Sequence, residues 1–201
     1  MTRLGALVLP LAILLMCGAP VDALKIDIAL ADIDRALTIA RSTEAERARF
    51  HAQYIQRIDT PFVERAEVVS EFRRVVLMAE EQIARGDRSF AYSTTRANDA
   101  LHVFRRRVSI IAHVRFHPLN NYVSAPPVSM ALVGNEPALI GVRRDPVFGF
   151  AAKPGEAAAV MGAVLDASFE AEALGQARRE FVVVLDGKEL GRVMFDMSAL
   201  E

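Results

Sequence analysis

The apolar residues of this chain change their period once, near Arg107, and that change limits what each half can become. Before it they recur every three or four positions, the repeat of a helix face; after it they alternate, the repeat of a strand with one buried side. In the first half Leu30, Ile33, Leu37 and Ala40 form one helical stripe. Thr43 followed by Glu46 is a capping box, because each side chain satisfies a free backbone donor of the other, and it opens a second helix bearing Phe50, Tyr54 and Ile58. Thr60-Pro61 starts and Gly86 stops a third apolar face, from Phe62 to Ile83. Its stretch Val63 to Val69 is rich in β-branched residues, and either continues that helix or forms a short strand ahead of a helix from Phe72 to Arg85. A short helix from Thr95 to Phe104, with Ser93, Thr94 and Thr95 as its cap cluster, closes the half.

In the second half Val108, Ile110, Ala112, Val114 and Phe116 alternate with mostly polar residues. Val128–Val133 and Leu139–Arg143 flank the turn cluster Gly134-Asn135-Glu136-Pro137. Ala163 to Ala171 alternates again, and Phe181–Leu185, Asp186-Gly187 and Leu190–Phe195 read as a hairpin. With no long helix between these strands, a parallel nucleotide-binding sheet is disfavoured. The expected class is α+β: a helical region over 24–104, then an antiparallel β-sandwich or meander over 105–201.

Residues 1–23 read as a leader rather than as fold. Arg3 precedes an apolar run of roughly 13 residues, and Val21-Asp22-Ala23 offers small residues where a signal peptidase cuts, with Ala23 as the cleavage residue. The run is shorter than the roughly 18–20 residues of a bilayer span, so no transmembrane segment is expected in the mature chain. Leu14-Leu15-Met16-Cys17 resembles the lipobox of bacterial lipoproteins, which implies an alternative in which Cys17 is lipidated and starts the mature chain. An uncleaved N-terminal anchor is the remaining form of envelope attachment. Export to the periplasm or beyond is the expected localisation. Cys17 is the only cysteine, so no disulfide is expected, and a chain cut after Ala23 has neither a thiol nucleophile nor a thiolate metal site.

Charge and motifs restrict function further. Lys and Arg number 24 against 25 Asp and Glu, a balance unlike the basic surface of a nucleic-acid binder. No nucleophile elbow, zinc-helix motif or phosphate-binding glycine loop occurs, and neither cofactor nor metal is expected. Asp27, Asp32 and Asp34 lack the spacing of a calcium loop and suit a helix start instead.

Two groups of residues point to binding. His113, Arg115 and His117 lie at alternate positions of a strand and so face one way. Adjacent members are ~7 Å apart, near enough to share an extended anion, whereas the two histidines, ~13 Å apart, are too distant for one metal ion. Arg105-Arg106-Arg107, Arg143-Arg144 and Arg178-Arg179 flank strands and would form an anion-binding patch if those ends converged. The expected role is a non-catalytic envelope module that binds an envelope protein, anionic lipid or glycan. The alternative is a hydrolase in which His113 or His117 works with a strand carboxylate such as Asp145 or Asp166.

Overall fold

The computed structural model describes residues 24–134, 139–149 and 158–200. Ala23, Cys17 and the turn residues Asn135 to Pro137 lie outside them. The described chain is α+β, with helices preceding two antiparallel sheets.

Helix α1 spans Leu30–Ala40 and buries Ile33, Leu37 and Ala40 of the expected stripe together with Ala36, whereas Leu30, at the first position of the helix, is exposed. Asp32 accepts the Ala29 N–H at 3.1 Å and pairs with Lys25 at 3.0 Å, the bonds of a helix-start acid. Helix α2, Glu44–Ala52, opens on the expected capping box: Thr43 Oγ1 accepts the Glu46 N–H, and the Glu46 carboxylate accepts the Thr43 N–H at 2.9 Å. It ends before Tyr54, because the chain turns there into strand β1, Ile55–Arg57. Pro61 starts no helix. Strand β2, Val63–Val69, follows, so of the two forms open to that segment the strand is the one adopted. Helix α3, Glu71–Ala84, is then capped by Ser70, whose side chain accepts the Arg73 N–H at 3.2 Å. Ser93 caps α4, Thr94–Leu101, which runs into a 3-10 turn over His102–Phe104.

Strands β3, Arg107–Arg115, β4, Ser129–Leu132, β5, Leu139–Phe148, and β6, Val160–Glu170, come next. The short helix α5, Ala171–Leu174, leads into the hairpin of β7, Arg178–Leu185, and β8, Lys188–Asp196. Asp186 and Gly187 both have positive φ, 49° and 77°, the pairing a two-residue turn needs to match strand twist. One sheet has the order β1-β2-β3-β6-β5 and the other β4-β7-β8. Strands from the first half of the chain therefore extend the sheet of the second.

The sheets pack face to face. Val68, Ile110, Ala112, Leu165 and Phe169 on one meet Met130, Phe181, Val183 and Phe195 on the other, and the Phe169 and Phe181 rings lie 5.5 Å apart. A second, smaller core lies among α1, α3 and α4, around Leu37, Phe72, Val76 and Leu101. Phe50 packs against both. Among the described residues no helix is long and apolar enough to cross a membrane.

Candidate binding cleft beside a buried ion pair

Strand alternation sends Val108, Ile110, Ala112 and Val114 into the sandwich, so Ser109, Ile111, His113 and Arg115 face the other way. Antiparallel pairing sets Arg65 opposite His113 and Glu67 opposite Ile111. The side chains of β2 thus reach the histidine: Glu67 Oε1 lies 3.2 Å from His113 Nε2, and Arg65 Nη2 lies 3.3 Å from the same nitrogen. That nitrogen has one role at a time. As N–H it donates to Glu67; in the other tautomer it accepts from Arg65.

Glu67 is also held from the helical side. Arg73, 2% exposed, donates from Nη2 to Glu67 Oε2 at 2.8 Å and from Nη1 to the Val68 carbonyl at 2.6 Å. Its Nε donates to His51 Nδ1 at 3.4 Å, which leaves the His51 Nε2–H facing Glu80 at 3.0 Å. The hydrogen bond from His113 is the largest influence on the Glu67 carboxyl. Together with Arg73 and Arg65 it outweighs burial and holds the pKa at about 2. A carboxylate so fully engaged serves as a fixed counter-charge for Arg73 rather than as a proton acceptor.

Beside this pair the sheet opens. Arg57 on β1, Arg65 on β2 and Arg115 on β3 line a cleft of about 670 Å³, with Asp59, Thr60 and Glu64 on its rim. Arg57 sits directly opposite Arg65 in the strand register. Arg115 pairs with Glu64 at 3.3 Å, both side chains being more than half exposed, and Arg65 with Glu67 at 3.2 Å. Arg57 has no ion pair among the described residues. Arg115 and Arg65 are thus each matched by a glutamate, whereas Arg57 reaches the cleft with no carboxylate paired to it among the described residues.

The other residues singled out from sequence are placed differently. His117 lies past the end of β3, where Pro118 halts the strand. It is exposed, and its Nδ1 accepts the Leu119 N–H at 3.1 Å, so it caps a turn instead of completing a row with His113 and Arg115. Arg105 is structural: it donates to the Ile28 carbonyl at 2.8 Å, to buried Glu71 at 3.1 Å and to Asn98 at 2.6 Å. Arg106 has positive φ and pairs with Glu172 and Asp27. Arg105, Arg106 and Arg107 together line a cavity of about 320 Å³ whose walls also hold Glu170 and Glu172.

The remaining arginine pairs do not join them. Arg143 meets Asp145 at 3.0 Å and Asp166 at 3.8 Å, and Arg144 Nε donates to the Val128 carbonyl at 2.5 Å. Arg178 pairs with Asp196 at 3.2 Å, and Arg179 Nε donates to the Leu174 carbonyl at 2.5 Å. Asp145 and Asp166, the two expected histidine partners, are engaged by Arg143. Among the described residues no cluster of His, Cys, Asp and Glu is arranged to hold a metal ion.

Glu67, Arg65, Arg73 and Arg57 escaped the sequence reading because their importance comes from strand register. The recoverable signal was Arg65-Ala66-Glu67, two charges at alternate positions, once that stretch is read as a strand. Comparison with models of known families, with curated proteins and with solved structures finds no match for this chain.

Proposed function

We propose that this chain is an exported, non-catalytic binding module of the bacterial envelope, and that it holds an anionic group of its partner in the Arg57–Arg65–Arg115 cleft. The observation that carries the reading is that three adjacent strands each turn one guanidinium into a single open cleft. Guanidinium groups suit this task because their forked donors match phosphate and carboxylate oxygens. The neighbouring Glu67 is saturated by His113, Arg73 and Arg65, which favours binding over acid–base chemistry at His113. Export rests on the leader-like composition of residues 1–23. Leu24 is a core residue, so a cut after Ala23 leaves the described core whole.

The test is a titration against two sources of the same chemistry: vesicles rich in anionic lipid and a soluble anionic polysaccharide. Binding to one of them is expected to weaken steeply with rising salt and to fall about tenfold in Arg57→Gln/Arg115→Gln, roughly 0.7 kcal/mol for each exposed guanidinium–anion contact. Binding insensitive to salt, or unchanged in the double variant, contradicts the reading. N-terminal sequencing of envelope-fraction protein is expected to begin at Leu24.

A further inference from the structure

We propose that the groove between α2, α3 and the end of α1 binds a small amphipathic anion, a carboxylate or phosphate head carrying an apolar chain. Two hollows meet there, of about 440 and 230 Å³, and Ala40, Arg47 and Ile83 form their shared wall. Ala48 of α2 and Ala84 of α3 line the larger one with Ile83, and both alanines are exposed. Helix α2 buries none of its residues. Side chains as small as these leave apolar surface open to a run of methylene groups, whose burial is favourable.

The smaller hollow is cationic. Arg41, Arg47 and Arg88 line it, and among the described residues no carboxylate does. Arg47 is matched by Glu80 at 3.1 Å, whereas Arg41 and Arg88 have no ion pair among the described residues. Arg41 donates to the Ala91 carbonyl and, at 3.0 Å, to Thr38 Oγ1, neutral groups that fix its guanidinium without cancelling its charge. It also lies over the Tyr92 ring, 4.6 Å from the ring centre, and that ring is 74% exposed. Arg88 follows Asp87, whose carboxylate is taken by Arg96 at 2.7 Å. Two unmatched guanidinium groups thus stand at one end of an apolar groove, the pattern that suits a ligand with an anionic head and a greasy body. Glu44 and Glu80 line the larger hollow, so charge sets the direction of entry. The head goes beside Arg41 and Arg88, and the chain lies over Ala48, Ile83 and Ala84. No residue of this site belongs to the Arg57–Arg65–Arg115 cleft.

Isothermal titration with octanoate and with octyl phosphate tests the site, the two probes separating a carboxylate from a phosphate head. At least one is expected to bind saturably. Inorganic phosphate, which lacks the chain, and octyl glucoside, which lacks the charge, are each expected to bind about tenfold more weakly or worse. Arg88→Gln changes an exposed side chain with no ion pair to lose, and is expected to weaken the tighter probe about fivefold. Ala84→Glu, which sets a like charge on the apolar wall, is expected to remove binding, while Arg57→Gln/Arg115→Gln leaves it unchanged. Titrations of both probes that never saturate overturn the proposal. So does octyl glucoside binding as tightly as either anion, or an affinity that falls in Arg57→Gln/Arg115→Gln and holds in Arg88→Gln and Ala84→Glu.

Discussion

Glu67 carries the sharpest residue-level consequence. Its folded pKa, about 2, lies below the ordinary 4.5, so the folded chain binds fewer protons than the unfolded chain between those values. Its contribution to stability is therefore complete above pH 4.5 and is lost as pH falls through about 2. Glu67→Gln is expected to cost roughly 3 kcal/mol at neutral pH, since it leaves buried Arg73 without its counter-charge. It should also flatten the acid limb of a stability-versus-pH profile measured by denaturant unfolding. Ser70 matters through geometry alone: its hydroxyl oxygen satisfies a free N–H of α3, so Ser70→Ala is expected to lower stability by about 1 kcal/mol.

At the scale of elements, β3 and β6 approach so closely at Gly162 that a Cβ there would overlap the Val114 carbonyl oxygen. Backbone cannot yield as a flexible side chain can. Gly162→Ala is thus expected to cost about 2 kcal/mol or more, read as a lowered denaturation midpoint, while Gly141→Ala, where a Cβ meets nothing, is tolerated. Much of the element pattern was legible beforehand. The α1 stripe, the Thr43–Glu46 box, the alternation along β3 and β6 and the Asp186-Gly187 turn each express a local rule, and local rules survive in sequence. The stretch 55–69 did not declare itself because two influences compete there. Its apolar residues suit a helix face nearly as well as a strand, and pairing of β2 with β3, a contact some 45 residues away, decides between them. The cleft was hidden for the same reason, since Arg57 and Arg65 join Arg115 only after that pairing forms.

On the scale of the whole molecule, two cores are tied by buried charge. Glu71, 2% exposed, binds Arg105 and the Ile28 and Arg106 backbone N–H groups, fixing the start of α3 to the segment before α1 and to the start of β3. Arg73 ties the same helix to β2 and α2. Loss of these ties is expected to uncouple the cores. In Arg73→Ala, far-UV circular dichroism and near-UV tyrosine signals should report separate unfolding transitions, where the unaltered chain gives coincident ones. The cleft lies where strands from both halves of the chain meet, so its geometry depends on that coupling.

The most direct test of the binding account is NMR observation of arginine Nε–H resonances while inorganic phosphate or a short anionic oligosaccharide is added at low salt. Saturable shifts are expected at Arg57, Arg65 and Arg115, with Arg107 and Arg143 unmoved. Shifts that gather at Arg105–Arg107 instead, or that spread evenly over all exposed arginines without saturating, would contradict binding in that cleft.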